Sequence, residues 1–258
     1  MTSELRIAAV IPARMAASRY PGKPLLSIGG LPMIEHVRRR ALLCSGFSEV
    51  IVATCDDEIA TAVTGFGGRV MMTSDEHVMA SDRVAEAIQN LTCSHVVNVQ
   101  GDEILILPGD LERMVEAIRK QPAAPYWNAT ALIDSDAELD DSAIVKCVVS
   151  QNEKILYCAR DFSHLSDQPG YEPVRKILGI LGYTKDGLES FKAMTRTPME
   201  TTQSIDQSRI LEHDLELLGV RFSSGYPGIN NQREERAVRA ILEKDQEQQT
   251  ILEKIRSM

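Results

Sequence analysis

The sequence predicts an α/β fold with a mixed, mostly parallel sheet, helices on both faces and a small β lobe. In the first 120 residues, short apolar β-branched runs alternate with amphipathic helical stretches. That alternation is typical of βαβ units with right-handed crossovers. From Ile144 onward, strand and turn signals replace this rhythm, which indicates mixed pairing or a β lobe. The length of 258 residues fits one large domain with a sizeable core.

Apolar runs and helix start signals predict the elements of the first half. Ile7–Ile11 is too short for a typical helix and suits a buried strand. Residues 32–44 carry apolar side chains at helical spacing, with charges on the other face. The other predicted elements of this half are strands over 49–54, 69–73 and 95–100, a helix from Asp56–Asp57 to Val63, a helix capped by Ser81–Asp82 that ends at Gln89, and a helix over 111–119.

The second half is predicted from strand runs separated by turns. Ser150–Glu153 separates two β-rich runs and indicates a hairpin. The five acidic residues within 134–141 predict a solvated loop. The other predicted elements are strands over 128–133, 144–149, 154–158, 177–183 and 220–222, and helices over 188–194, 205–218 and 234–255.

The stretch IAAVIPARMAASRYPGKPL, residues 7–25, is the strongest candidate for a ligand site. After the first strand, Arg14, Arg19 and Lys23 stand among small residues that let a backbone approach a ligand. Three cations suit an oxyanion-rich ligand such as a triphosphate. The alternative is a solvated basic loop, but open α/β sheets bind ligands at the carboxyl ends of their strands. The stretch is neither a Walker A nor a GxGxxG sequence, so it predicts neither ATPase nor dinucleotide chemistry.

A second candidate follows the strand over 95–100, in the sequence Gln100-Gly101-Asp102-Glu103. An exposed carboxylate at this edge of the sheet can hold Mg²⁺ beside a phosphate. The alternative is that Asp102 caps the following turn. We expect the metal role, because the basic loop and this carboxylate converge on one edge in any doubly wound arrangement.

Composition restricts the classes of partner. The net charge of −9 argues against a general binder of nucleic acid or anionic membranes, which would need a basic surface. No run of 18 apolar residues is present, and the N-terminus MTSELR has no signal-peptide pattern, so we expect a cytoplasmic protein. The five cysteines stand singly without a CxxC motif and are expected to be reduced thiols, most of them buried.

Four segments in register resemble the CMP-Kdo synthetases (3-deoxy-manno-octulosonate cytidylyltransferases): IPARMAASRYPGKPL, GLPMIEHV, VATCDDEIA and NVQGDE. Weaker matches to the same family follow in the same order along the chain, the last of them at DQSRILE. The resemblance therefore covers nearly the whole chain. It implies the Rossmann-like nucleotide-diphospho-sugar transferase fold, in a single domain over 1–258. Residues 1–120 would be the nucleotide-binding half, and 121–258 the acceptor-binding and dimerisation half. It also implies CTP and a sugar acid as substrates, Mg²⁺ as cofactor, a homodimer, and a product used in lipopolysaccharide biosynthesis.

The same resemblance implies roles for individual residues. Lys23, Asp102 and Arg14 would be catalytic, and Asp102 would bind Mg²⁺, joined by Asn230 at the position of a second metal ligand. The residues implied to bind the nucleotide are Arg14, Ser18, Arg19, Lys23, Ser81, Arg83 and Gln100. Those implied to face the acceptor are Arg160, Gln207 and Asn230.

Departures from the family pattern lie mainly at the sugar and metal end. Asn230 stands where the family carries a second metal-binding aspartate, and it offers only a neutral oxygen. Ile177 and Leu181 replace a histidine and a tyrosine that are common beside the sugar, Ile104 replaces a proline, and Ala80 replaces a glycine. We therefore expect cytidylyl transfer to a Kdo-like sugar acid. The alternatives are a different acceptor, such as an amino-octulosonate, another nonulosonic-type acid or a phosphonate, or a weakly active paralogue that binds nucleotide.

Overall fold

The computed structural model describes residues 5–16, 20–77, 79–165 and 173–258. The chain divides into two compact units, of which the first joins Met1–Val115 to Tyr226–Met258 and the second is Glu116–Gly225. The predicted halves 1–120 and 121–258 therefore differ from the compact units, because the last segment of the chain belongs with the first unit. The roles assigned to those halves remain predictions.

The secondary structure of the described residues is as follows. The strands are β1 (Ile7–Ala13), β2 (Ser27–Ile28), β3 (Leu31–Pro32), β4 (Glu49–Thr54), β5 (Arg69–Met72), β6 (His95–Val99), β7 (Tyr126–Leu132), β8 (Lys146–Val149), β9 (Ile155–Ala159), β10 (Val174–Thr184) and β11 (Leu218–Arg221). The helices are α1 (Met33–Leu42), α2 (Asp57–Gly65), α3 (Ala80–Gln89), α4 (Pro108–Lys120), α5 (Asp136–Asp140), α6 (Lys185–Ala193), α7 (Pro198–Gln203), α8 (Gln207–Glu212), α9 (Gln232–Lys244) and α10 (Gln246–Arg256). Short 3₁₀ helices cover Lys23–Leu25 and Ser163–Leu165.

In the first unit, β1 is the central strand of a parallel group. It pairs with β4 on one side and with β6 on the other, and β5 adds to β4. All seven residues of β1 are buried, as the continuous apolar run predicts. Because these strands run in the same direction, the segments that follow β1 and β6 leave the sheet at the same edge, which confirms the predicted βαβ arrangement.

The C-terminal part of the first unit differs from the prediction of one helix over 234–255. The helix breaks at Asp245, whose backbone is extended (φ −84°, ψ 118°). The Asp245 carboxylate accepts the backbone N–H of Gln248 at 3.0 Å and the hydroxyl of Tyr226 at 2.6 Å. An N-cap of this kind satisfies a free N–H at a helix start, so α10 begins as a separate helix.

The second unit contains mixed pairing, as predicted. β10 is antiparallel to β7 and to β8, and β11 is parallel to β7. The predicted hairpin is confirmed, because β8 and β9 pair antiparallel with Cys147 opposite Cys158. Glu153 adopts a left-handed conformation (φ 60°) in its turn.

Two predictions in the second unit are wrong. The helix predicted over 205–218 ends at Glu212, and the polar segment before it forms α7 with a capping box at Thr197. The acidic stretch 134–141 is not a plain solvated loop, because it contains α5 with Leu139 buried. There the buried Lys176 ammonium lies 2.5 Å from Asp134 and 2.9 Å from Glu138, which holds the acidic segment in place.

Two expectations from composition can be compared with the structure. All five cysteines are free thiols, and Cys44, Cys147 and Cys158 are buried. Within the described ranges, no helix combines the length and the apolar character needed to cross a bilayer.

Candidate nucleotide and cation site

A cavity of about 240 Å³ opens in the first unit at the carboxyl ends of β1 and β6. This is where open α/β sheets bind ligands. The wall of the cavity combines charged groups of both signs with uncharged polar and apolar side chains. Its lining residues are Pro12, Ala13, Arg14, Tyr20, Lys23, Pro24, Met33, His77, Met79, Ala80, Arg83, Gln100, Gly101, Asp102 and Asn230.

The basic loop after β1 is anchored at both of its described ends. The N–H of Met15 donates to the Asp56 carboxylate at 2.8 Å, and the Tyr20 hydroxyl donates to Glu235 at 2.6 Å. Gly22 has a φ of 76°, a conformation that glycine adopts without strain, and its N–H donates to the carbonyl of Met15 at 3.0 Å. The turn therefore directs Lys23 into the cavity. The predicted nucleotide ligands Ser18 and Arg19 lie outside the described residues.

Gly101 is required where the chain leaves β6. A Cβ atom at this position would lie 2.9 Å from the carbonyl oxygen of Pro12, a distance that real Cβ atoms do not show. Absence of a side chain lets the segment after β6 cross close to the end of β1. Gln100 and Asp102 on either side therefore both line the cavity, as the sequence predicts.

The Lys23 ammonium lies among three oxygen atoms. Its Nζ donates to Asp102 Oδ2 at 2.7 Å, to the carbonyl of Ile229 at 2.9 Å and, at a longer distance of 3.4 Å, to Asn230 Oδ1. We call these three acceptors the oxygen cage. The Lys23 and Asp102 side chains are only 15% and 24% exposed, so their ion pair is shielded from solvent on most sides. Lys23, Asp102 and Asn230, separated widely in sequence, are thus brought together as predicted.

The oxygen cage is held by backbone contacts of its own. The N–H of Ile229 donates to the carbonyl of Asp102 at 3.2 Å, and the Ile229 side chain is fully buried. A Cβ atom at Gly228 would lie 3.0 Å from the same Asp102 carbonyl, so the two segments are in close contact. The Asn230 N–H donates to Glu234 at 2.5 Å. The backbone that carries the acceptor groups is therefore held in place, and the long Lys23 side chain has more conformational freedom than those of Asp102 and Asn230.

The oxygen cage has ligands that suit a hard divalent cation. Because it contains a single carboxylate, it has one negative charge fewer than a site with two carboxylates would have. Carboxylate, amide and carbonyl oxygens are the ligands that Mg²⁺ accepts, and Mg²⁺ is usually held by one or two carboxylates together with substrate phosphates. Across the described part of the chain, no group of three His, Cys, Asp or Glu side chains could hold a metal ion. Asp102 would therefore be the principal protein ligand, with Asn230 beside it.

Arg83 and Ser81 occupy different environments on α3. Arg83 lines the cavity although it is 3% exposed, and its guanidinium donates to the hydroxyl of Thr73 and to Cys55 Sγ at 3.3 Å. Ser81 is also buried, does not line the cavity, and its hydroxyl has no hydrogen-bond partner among the described residues. The helix begins at Ala80, so Ser81 lies in its first turn and is not the cap residue that the sequence predicts.

His77 is a cavity residue that the sequence analysis missed. Its imidazole pairs with the Glu86 carboxylate, which also accepts the N–H of Ser74 at 3.0 Å. These contacts lower the pKa of Glu86, the N–H of Ser74 contributing most. No short motif contains this pair, because Glu86 lies on α3 and His77 on the loop before it. An acidic residue on the helix after a histidine-containing loop was the only available signal.

Arg160, an expected acceptor ligand, is hydrogen-bonded inside the second unit through all three nitrogens of its guanidinium. Its guanidinium donates to three backbone carbonyls, those of residues 203, 142 and 204, at 2.7, 2.8 and 3.1 Å. These bonds attach the end of β9 to the end of α7. The structure thus gives Arg160 a structural role, and its acceptor role remains a prediction.

Gln207, the other expected acceptor ligand of the second unit, is 8% exposed at the start of α8. Its amide donates to Asn128 Oδ1 at 2.7 Å, and the Asn128 amide donates in turn to the carbonyl of Leu178 at 3.0 Å. A buried amide chain of this kind fixes the orientation of both side chains. The acceptor role of Gln207 remains a prediction.

A protein-family model matches most of this chain. The model described as cytidylyltransferase matches residues 8–217. The chain belongs to the cytidylyltransferase family. This confirms the resemblance drawn from the four motifs, and it makes the chain a member of a family of CTP-dependent nucleotidyltransferases.

Curated relatives of this cytidylyltransferase carry two different names. The chain is 38% identical over 214 residues to an 8-amino-3,8-dideoxy-manno-octulosonate cytidylyltransferase of Shewanella baltica, covering 81% of this chain and 87% of the relative. It is 35% identical over 235 residues to a 3-deoxy-manno-octulosonate cytidylyltransferase of Escherichia coli, covering 90% and 94%.

Among solved structures, the chain is similar to a CMP:2-keto-3-deoxy-manno-octonic acid synthetase complexed with CTP. The TM-score is 0.86 at 33% identity, and the match covers 93% of this chain and 99% of the other. The predicted nucleotidyltransferase fold, a mostly parallel mixed sheet with helices, is confirmed by this match.

Proposed function

We propose that this cytidylyltransferase transfers CMP from CTP to a Kdo-like sugar acid and releases pyrophosphate. The observation that carries the proposal is the convergence of Lys23 and Asp102 in one cavity at the carboxyl ends of β1 and β6. A cation for phosphate beside a carboxylate for a metal is the pairing that nucleotidyl transfer needs.

The reaction requires stabilisation of negative charge. A hydroxyl of the sugar acid attacks the α-phosphorus, the bond between the α-phosphorus and the bridging oxygen breaks, and pyrophosphate leaves as the hydroxyl proton is lost. Charge grows on the phosphoryl oxygens and on the leaving group, where fixed cations act most strongly. Lys23 and Arg14 line the cavity and would bind these oxygens. Arg19 would join them by its position in the same loop.

Mg²⁺ bound to Asp102 and Asn230 would neutralise phosphate charge and polarise the phosphoryl oxygens. The remaining polar residues of the cavity would orient the nucleotide. Gln100 and Arg83 line the wall, and Glu86 orients His77. Ser18 in the basic loop would add a hydroxyl for the phosphates. Ser81, also expected to bind the nucleotide, is buried in the first turn of α3 and does not line the cavity, so no contact of its hydroxyl with the nucleotide is proposed.

The acceptor is proposed as an octulosonic acid that is either Kdo or its 8-amino derivative. Relatives with comparable identity carry both names, so similarity does not choose between them. Ile177 and Leu181 on β10 make this part of the second unit more apolar than a histidine and a tyrosine would. Arg160 and Gln207 remain the proposed acceptor ligands of that unit.

The test is pyrophosphate release with CTP, Mg²⁺ and each acceptor in turn. We expect release with CTP but not with ATP, and a preference for one of the two octulosonates. Asp102→Asn should lower turnover by roughly a hundredfold or more, because a charge that stabilises the transition state is worth several kcal/mol. The matched control is Asp186→Asn, an exposed carboxylate of the second unit.

Three results would contradict this proposal. The first is no release with any acceptor although the protein is folded. The second is equal release with ATP, and the third is Asp102→Asn activity within about threefold of the parent. Tight CTP binding without turnover would favour the weakly active paralogue, for which the neutral Asn230 is the supporting observation.

We also propose that the protein is a homodimer, with the second unit as the dimerisation part. The supporting observation is that strands of this unit expose large apolar side chains: Leu132 on β7 is 41% exposed, and Leu156 and Tyr157, on opposite faces of β9, are 60% and 48% exposed. Such side chains are expected where a partner covers them. Light scattering after gel filtration should give twice the mass of one chain, and a monomer mass at micromolar concentration would contradict the proposal.

A further inference from the structure

The Lys23 ammonium satisfies its whole bonding capacity inside the oxygen cage. An ammonium has three N–H donors, and the cage supplies three acceptors. The same three oxygens form the donor set that a divalent cation would use. Lys23 and a metal ion therefore require the same oxygens, and two cations cannot occupy one cage.

Charge inside the cage favours the lysine when no nucleotide is bound. One ammonium and one carboxylate sum to zero, since the Asn230 amide and the Ile229 carbonyl are neutral. An aspartate in place of Asn230 would leave one negative charge beside Lys23, and a divalent cation in place of Lys23 would neutralise both carboxylates. The asparagine thus makes the closed cage neutral, and the limited exposure of Lys23 and Asp102 strengthens their ion pair.

We infer that Lys23 closes the cation site of the nucleotide-free protein, so that divalent metal enters only together with a polyphosphate that draws Lys23 away. This inference rests on the proposed function for the identity of the polyphosphate, CTP. The exchange leaves each cation with anionic partners: Lys23 moves from Asp102 to phosphate oxygens, and the metal takes the released carboxylate. Since contacts hold the backbone that carries the cage oxygens, the exchange needs side-chain movement only, chiefly that of Lys23.

The test is direct binding of Mn²⁺, a paramagnetic stand-in for Mg²⁺, to the protein without nucleotide or acceptor. Free Mn²⁺ is measured by electron paramagnetic resonance at fixed ionic strength. We expect weak binding to the parent and a gain in affinity of at least about tenfold in Lys23→Met, because a competing cation has been removed from the cage. Lys23→Ala should behave in the same way.

Two further variants control for general electrostatics and for location. Arg14→Met removes a cation from the same cavity without opening the cage, so it should gain much less than Lys23→Met. Lys23→Met combined with Asp102→Asn should lose the gain, because the cage carboxylate is then absent. Asn230→Asp in the parent should bind Mn²⁺ more tightly than the parent does. Thermal melting of each variant checks that it is folded.

The inference is overturned if the parent binds Mn²⁺ as tightly as Lys23→Met, or if Arg14→Met gains as much. It is also overturned if the double variant keeps the gain, since the metal would then lie elsewhere. Because the measurement contains neither CTP nor sugar acid, lack of cytidylyltransferase activity would not change its result. Failure of the inference and failure of the proposed function are therefore distinguishable.

Discussion

Gly101 shows how one residue without a side chain positions the two functional groups beside it. The chain after β6 passes within contact distance of the end of β1, and the nearest atom that a Cβ would meet is a backbone oxygen, which cannot rotate away. Gln100 and Asp102 reach the cavity because of this crossing. At the scale of single residues, the position of Asp102 thus depends on its neighbour as well as on its own side chain.

Gly101→Ala should both destabilise the protein and weaken CTP binding. The added methyl group would lie 2.9 Å from the Pro12 carbonyl, so one of the two backbones must shift. Such overpacking costs about 1–3 kcal/mol in the free energy of unfolding. The measurements are urea unfolding and calorimetric titration with CTP.

Gly109→Ala is the matched control for that change. Gly109 lies in α4, where a Cβ atom would meet nothing within 4 Å, so alanine should leave stability unchanged or raise it. Equal stability and equal CTP affinity of Gly101→Ala and the parent would show that the crossing of the two backbones does not hold the site.

At the scale of elements, the sequence predicts best those segments whose burial is uniform. β1 and β6 are buried along their whole length, and their apolar runs are visible directly. The helix break at Asp245 was missed because charged residues surround it on both sides. The signal was present as Asp245 followed three positions later by Gln248, a spacing typical of a helix start. A continuous amphipathic pattern concealed it.

The candidate site was also predicted in part, and again the predicted part is the one next to strands that are buried along their whole length. Lys23, Asp102 and Gln100 belong to compact motifs that follow buried strands, so their convergence could be expected. The pair of His77 and Glu86 could not, because its two residues come from a loop and a helix. Nor could the hydrogen bonds of Arg160 to backbone carbonyls be foreseen, since two of them depend on where α7 ends.

At the scale of the whole molecule, the two compact units could not be predicted from the order of segments along the sequence. The first unit is discontinuous in the chain, because Tyr226–Met258 belongs with Met1–Val115. Contacts such as that of the Arg39 guanidinium with the carbonyl of Ile255, at 2.6 Å, join parts that are far apart in sequence. Hydrophobic periodicity indicates that a helix has an apolar face but not which distant segment covers it.

Stability of the first unit should fall as the pH is lowered from 7.5 to 5. Burial lowers the pKa of His36 to about 4, since its ring lies in the core, and its Nε2 is 2.6 Å from the Ile28 carbonyl. Below the ordinary histidine pKa of about 6.5, the unfolded chain binds a proton that the folded chain does not, so acid favours unfolding. The loss from this residue should be about 2 kcal/mol at pH 5.

His36→Gln is the variant that checks this assignment, because glutamine keeps a polar side chain but does not titrate. Urea unfolding of parent and variant at both pH values gives four free energies. The decrease between pH 7.5 and pH 5 should be smaller in the variant by about 2 kcal/mol. An identical decrease in both proteins would assign the acid sensitivity to other groups.

The segment Tyr226–Met258 of the first unit is synthesised on the ribosome only after the whole second unit has been made. Asn230 and Ile229, which complete the oxygen cage around Lys23, are translated long after the basic loop and Asp102. Domains generally fold as units, beginning at the N-terminus, while the chain is being made. A nascent chain stopped anywhere before these residues would carry the motifs of a cytidylyltransferase without a finished site. The capacity to hold the nucleotide with its cation would thus be gained only after residue 230 has been translated.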